Sequence, residues 1–446
     1  MTAKNKLGLF SFTMIVIGLV IGMGIFRTAK DAASAALDPT IYFTAWVVGG
    51  IIALCGALTY AEIGSRYPVT GGYYKVFSYA FHPSIAFALN CSILISNAAS
   101  ISGVALIGAG YISKVLIGPD AANWIKVAIA MAAILLFYGV NMLGLKMSAR
   151  TQSVLMLIKI AMILLLIMSL LYPGAYAAPS PSAVSSEAVG WRNWISSFGI
   201  CLIAVSFTYG GYQQTINFGS DVKEPSRTIP RAIFIGIAVI IVLYLVVNIA
   251  YYKIVGFENM KTTGEIASVV VAKMFGTQGA NAFSLLLFLS VLAYVNGSML
   301  SNPRVMFAMS EDGVLPGFLK KKSDKKEVLV VSLTIYAAIC VIVLFFADSF
   351  EKILSFSIFL DSFGMCTSAA TIFMLRKRTK HLDGTGIYKM KLFPLLPLVF
   401  IAAYVFVCIS IIFNTPMIAL TGTGVLAGFM LLYYLTAGRR RPAVKP

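Results

Sequence analysis

Two charged side chains interrupt long apolar runs: Lys159 in SVLMLIKIAM (153–162) and Asp361 in FLDSFG (359–364). A charge at bilayer depth costs about 2.5–3.5 kcal/mol on insertion scales, and such residues commonly serve solute or ion pathways. Lys159 stands about 6 residues into its run, or about 9 Å at the helical rise. A lysine stem reaches most of that distance, so snorkelling and a buried role both stay open. Asp361 stands about 15 residues from Arg376, or about 22 Å, too deep to snorkel. Polar packing, pairing with a cation, substrate recognition and proton transfer remain open for it.

Two glycine clusters stand in comparable surroundings. IGLVIGMGIF (17–26) holds Gly18, Gly22 and Gly24, and SFTYGGYQQ (206–214) holds Gly210 and Gly211. Each interior glycine costs about 1 kcal/mol of helix propensity relative to alanine. Unwinding there frees backbone N–H and C=O groups, which are tolerated at membrane depth only in a protein-buried or wet cavity. The competing reading is close helix packing, which Gly18-x-x-x-Gly22 fits by itself.

Other chemistry lacks its residues. The two histidines, His82 and His381, fall in loops, far apart, so neither a His relay nor a clustered Ser/His/Asp set is in place. The six cysteines lie inside apolar segments without metal-ligand or disulfide spacing. No G-x-x-x-x-G-K-S/T run occurs. No catalytic residue, metal site or cofactor is expected, and the chain reads as a non-enzyme.

The elements that position these residues follow from composition. Of 446 residues, 59% are hydrophobic and 12% charged, with a mean hydropathy of +0.88. Soluble chains carry about 45–50% apolar and about 25% charged residues. The expected fold is an all-α polytopic membrane protein. Twelve spans are read at 9–26, 41–60, 85–106, 124–143, 153–171, 194–216, 232–252, 280–306, 328–347, 353–375, 392–413 and 417–436. The opening MTAKNKLGLFSF is too short and polar for a cleaved signal peptide, so the first span is retained.

The net charge of +18 is assigned to orientation, not to nucleic acid. With the N-terminus and every second loop on one side, 24 Lys and Arg fall there and eight on the other. That asymmetry places both termini in the cytoplasm. The clusters KKKSDKK (320–326) and RKRTK (376–380) are read as orientation signals, and Arg27 and Arg304, near span ends, as interfacial anchors. Sequons at Asn90 and Asn296 lie inside spans, out of reach of glycosylation.

The glycine breaks fall in spans one and six, at equivalent places if spans one to five and six to ten form two halves. Paired broken helices of that kind mark a transporter's binding site, with half-helix N-termini facing an anionic group such as a carboxylate. The division is 1–172 for the first repeat, 193–376 for the second and 391–437 for helices 11 and 12 of a single transport domain.

At these residues the chain resembles the amino acid–polyamine–organocation superfamily, nearest to L-type amino acid transporters and their bacterial homologues. GMGIF (22–26) is similar to the family's GSGIF. YAEIGSRYPVTGGYYKVFSYAFHP (60–83), FTYGGYQQTINFGSDVKEPSRTIPRAI (207–233) and VNGSMLSNPRVMFAMSEDGVLP (295–316) resemble its later motifs, in order. The resemblance implies a 5+5 inverted-repeat, LeuT-like fold with helices 1 and 6 broken and two C-terminal helices. It implies sodium-independent amino acid exchange in a bacterial cytoplasmic membrane, with a proton-coupled symporter as the alternative.

Residue by residue, the resemblance places the substrate's carboxylate and α-amine against Ile21, Gly22, Met23, Gly24 and Ile25 and against Phe207, Thr208, Tyr209, Gly210 and Gly211; Asp361 joins them as a candidate contact from its depth in the membrane. Phe207 matches the aromatic that closes over substrate. Lys159 matches a lysine that takes the place of sodium, bridging carbonyls near Gly22 to span-eight hydroxyls such as Ser298 or Ser301. Met23 departs from the family's small Ser, and Asp361 from its Asn or aromatic. Residues 107–123 lack the Cys that binds a partner glycoprotein, so no disulfide-linked heavy chain is expected. The implied partners are amino acid substrates and lipid, in a monomer or homodimer.

Overall fold

The computed structural model describes residues 6–22, 24–118, 121–172, 190–323, 328–345, 350–384 and 386–436. These residues form helices without a strand. Eleven segments are long and apolar enough to cross a membrane, and the shorter apolar α12 (Val330–Leu344) stands where the ninth span is expected. The chain is therefore an all-α polytopic membrane protein.

Local chemistry sets the helix starts. Asp38 accepts a hydrogen bond from the Ile41 N–H, with Pro39 opening α3 (Pro39–Arg66). His82 and Pro83 do the same for α5 (Pro83–Leu116). A polar side chain followed by proline supplies one orphan N–H with an acceptor and removes another.

The first span is two helices, α1 (Leu9–Val20) and α2 (Gly24–Ala35). Ile21, with φ −73° and ψ 85°, leaves helical geometry between them. The sixth expected span ends its α-helix, α8 (Trp191–Tyr209), at Gly210 and continues as a 3₁₀ segment, Tyr212–Asn217. The expected eighth span is the inner part of α11 (Ile266–Glu311), which turns sharply at Gly276. Between these lie α4 (Gly72–Ala80), α6 (Asn123–Met142), α7 (Leu145–Met168), α9 (Pro225–Val255) and α10 (Phe257–Thr262). After them come α13 (Phe350–Arg378), α14 (Leu395–Asn414) and α15 (Pro416–Thr436).

Buried amides join the helices. Asn296 of α11 donates to the Ser148 carbonyl at 3.1 Å and to Gln152 Oε1 at 2.7 Å, both on α7, and accepts from Asn141 of α6 at 3.0 Å. Inside an apolar bundle such bonds hold helices in register, because their loss leaves polar groups in hydrocarbon.

One face of the bundle carries most of the charge. There Glu62, fully buried on α3, accepts from Arg66 at 2.7 Å, from Arg376 of α13 at 2.8 and 2.7 Å, and from the Met390 N–H at 2.9 Å. Arg66 also reaches Asp383 at 2.7 Å. Hydrogen bonds from Lys389 and Arg66 hold the exposed Asp383 carboxyl down at about 2. Arg376 is thus a structural tie between α3 and α13 in addition to an orienting charge.

Candidate functional site

The two helix breaks meet. Gly211 has a φ of +113°, and a Cβ there would stand 2.1 Å from the Leu19 carbonyl oxygen, so only glycine lets the sixth-span break lie on the end of α1. Thr208 of α8 and Thr28 of α2 share a hydrogen bond, and a Cβ on Gly24 would press on the Thr208 side chain at 2.9 Å. Gly18 behaves differently: a Cβ there would strike Gln152 at 1.9 Å, so this glycine serves packing against α7.

Between the breaks lies a cavity of about 80 Å³. Gly22, Gly24, Phe207, Thr208, Gly210 and Gly211 line it, with Asp361 of α13, Asn97 and Ser100 of α5, and Tyr294 of α11. Two helix ends border it, the first turn of α2 at Gly24 and the last turn of α8 at Phe207 and Thr208, and a helix N-terminus carries a positive and a C-terminus a negative partial charge. An anionic group is favoured at the first and a cation at the second, and an amino acid carries both.

Not every expected residue faces this space. Ile21 and Ile25 are fully buried and do not line it. Tyr209 turns away to pack edge-on against Trp46 at 5.9 Å and against Tyr244 at 5.2 Å. For these three only backbone groups are available to a ligand. Met23 lies outside the described residues. Phe207 is half-buried at the cavity wall.

Lys159 is fully buried on α7 and donates its ammonium to the Ile21 carbonyl, in the break itself. A snorkelling lysine would end in the headgroups, so that reading fails. Of the hydroxyls expected beside it, Ser301 is bound elsewhere: it accepts from Asn217 at 3.0 Å and donates to the Gln214 carbonyl at 3.4 Å. Asp361 has the Ser96 hydroxyl as a hydrogen-bond partner, and among the described residues no ion pair reaches it.

Towards the basic face the cavity is floored. Asn217 accepts from the Tyr73 N–H at 2.9 Å. Below it Arg304 donates to Asp221 at 2.7 Å, with its guanidinium 4.4 Å over the Phe218 ring. Leu7 and Val222 form a parallel bridge, and Thr70 and Phe218 an antiparallel one. Arg304 is only 9% exposed. The expectation of an interfacial anchor is corrected: α11 continues to Glu311, so Arg304 lies about two turns inside it, where a buried carboxylate compensates its charge. At the opposite end Arg27 and Asp31 of α2 border the cavity.

Sequence reasoning missed Asn97, Ser100, Tyr294 and the Arg304–Asp221 pair. The first three are ordinary polar residues in apolar helices, and only their convergence on one cavity marks them. Asp221 carried a usable signal, being an acid in the motif that follows the sixth-span break.

Comparison with known proteins agrees with this geometry. The amino acid permease family model matches residues 7–436. The chain is 28% identical over 420 residues to the serine/threonine exchanger SteT of Bacillus subtilis (strain 168), covering 93% of this chain and 92% of that one. It is 25% identical to the human cystine/glutamate transporter over 97% of this chain and 86% of that protein. It is 23% identical to the human large neutral amino acids transporter small subunit 2, over 97% and 80%. With a family match over residues 7–436 and two broken spans facing one cavity, the chain belongs to the amino acid permease family of the amino acid–polyamine–organocation superfamily and is a multi-pass membrane transporter of amino acids, not an enzyme.

Proposed function

We propose that the protein exchanges small L-amino acids across the cytoplasmic membrane by alternating access, without sodium. The carrying observation is the placement of the Lys159 ammonium on the Ile21 carbonyl, beside a cavity that both breaks line. A fixed ammonium there does what a bound cation does in a sodium-coupled transporter: it ties the interrupted helix to its neighbours through a backbone carbonyl. Sodium is then not needed to complete the site.

In this reading the substrate carboxylate meets the N–H groups opening α2, near Gly22–Ile25, and the α-amine meets carbonyls at the end of α8, near Phe207 and Thr208. Phe207 covers the bound molecule. The halves 1–172 and 193–376 move against each other, with 391–437 as an appendage. With the basic face cytoplasmic, the floor closes the inner side and the cavity communicates outward past α2.

The similarity to a serine/threonine exchanger supports a small substrate. No heavy-chain linkage takes part, and the protein works as a monomer or homodimer.

Asp361 favours a second reading, a proton-coupled symporter, because a carboxyl facing the cavity with no cationic partner among the described residues is suited to gaining and losing a proton. Asp361→Asn separates the two. Uptake of labelled serine, leucine, lysine and glutamate is measured in proteoliposomes at two external pH values. Exchange predicts that serine is preferred and that Asp361→Asn changes its rate less than threefold at both pH values. Loss of a pH-driven component in the variant supports the symporter, and selective loss of lysine uptake makes Asp361 a side-chain contact.

A further inference from the structure

A second cavity, of about 440 Å³, lies beyond the floor on the basic face. Its polar lining is Lys6, Thr70, Ser220, Asp221, Arg304 and Lys322. Three of these are cations and one is an acid, and that acid is committed to Arg304 at 2.7 Å. Two positive charges are left over. Among the described residues no carboxylate pairs with Lys6 or Lys322, and the Lys322 ammonium has only the Phe307 ring, 4.3 Å away. Thr70 and Ser220 share a hydrogen bond at the rim and retain acceptor and donor capacity.

Orientation in the membrane requires positive charge on this side of the bilayer, not its convergence on one hollow. Two lysines lining one cavity repel, and repulsion of that kind is relieved when an anion enters. From this geometry we infer that the cavity binds a phosphate-bearing anion between Lys6 and Lys322, with the Thr70 and Ser220 hydroxyls as further ligands.

The position gives such binding a consequence. Lys6 is fixed to the segment after the sixth-span break, since the Leu7 N–H donates to the Asp221 carbonyl at 2.8 Å and the Lys223 N–H to the Leu7 carbonyl at 2.9 Å. Lys322 belongs to the link between α11 and α12, which the Ser323 N–H closes onto the Val328 carbonyl at 2.9 Å and Ser332 holds at the Leu319 carbonyl at 2.7 Å. An anion bridging the lysines joins these two parts across the floor and holds the floor shut. This consequence rests on the alternating-access reading above; the binding does not.

The phosphate can be free or carried by a lipid headgroup, and the test distinguishes them. Purified full-length protein is titrated with inorganic phosphate against chloride at equal ionic strength, and separately reconstituted in phosphatidylglycerol or phosphatidylcholine vesicles. Thermal stability and serine exchange are read in each. A site for the free anion shows as stabilisation of the wild type by phosphate over chloride, with binding weakened about tenfold or more in Lys6→Gln and Lys322→Gln and restored in the Lys→Arg variants. A headgroup site shows the same pattern for phosphatidylglycerol only. In both cases occupancy slows exchange in the wild type and not in the Gln variants. Equal behaviour of wild type and Gln variants towards both phosphate sources overturns the binding site. Binding without any effect on exchange overturns the gating consequence and leaves the site.

Discussion

Lys159 is the residue on which the proposed sodium independence turns. Its ammonium is fully buried and reaches the Ile21 carbonyl, in the break between α1 and α2. Removing it leaves the Ile21 carbonyl facing a void and loosens the break from α7. Lys159→Ala is expected to insert and fold, yet to exchange at least tenfold more slowly for every substrate, because the group lost acts on the shared amino acid backbone site. Exchange by reconstituted protein, set beside a monodisperse elution profile, checks it. The glycine and lysine signals were legible in the sequence because both break a rule of apolar helices. Ile21, Ile25 and Tyr209 were legible only as a neighbourhood: which way a side chain points in a broken helix depends on the tertiary packing of Trp46 and Tyr244 around it.

At the scale of elements, the Arg304–Asp221 pair joins α11 to the segment following the sixth-span break. It is buried, so deleting one partner strands the other charge. Arg304→Met is expected to cost about 3–5 kcal/mol, and the double variant Arg304→Met/Asp221→Asn less than Arg304→Met alone. Thermal unfolding of the purified variants checks the order. This pair was hidden in the sequence because Arg304 falls close to the expected end of its span, where an anchor and an inward-facing ion pair look alike. The true helix end at Glu311 decides between them. The spanning helices were legible, since apolar runs of spanning length admit few alternatives, whereas the short α4 and α10 were not. Helix ends were not, and α11 exceeds its expected span at both ends.

For the whole molecule, 24 Lys and Arg against eight fix the proposed orientation, with both termini cytoplasmic. A single cysteine introduced as Ser323→Cys, in a background freed of native cysteines, is expected to react with an impermeant maleimide only after the cells are permeabilised. Reaction in intact cells would reverse the orientation and, with it, the assignment of the floor to the inner side. The sequence resemblance carried the family and the broken helices, because two of its motifs, 22–26 and 207–233, lie at the breaks that line the cavity. It did not carry the substrate, because the polar lining of the cavity, with Asn97, Ser100, Tyr294 and Asp361, is drawn from three separate helices.

The most direct measurement is uptake of labelled serine into proteoliposomes that are either empty or preloaded with unlabelled serine, in sodium buffer and in sodium-free buffer. The expected result is uptake several-fold faster into loaded vesicles than into empty ones, at the same rate with and without sodium. Uptake into empty vesicles that matches the loaded rate, or that requires an inward sodium gradient, would contradict exchange built on a fixed lysine.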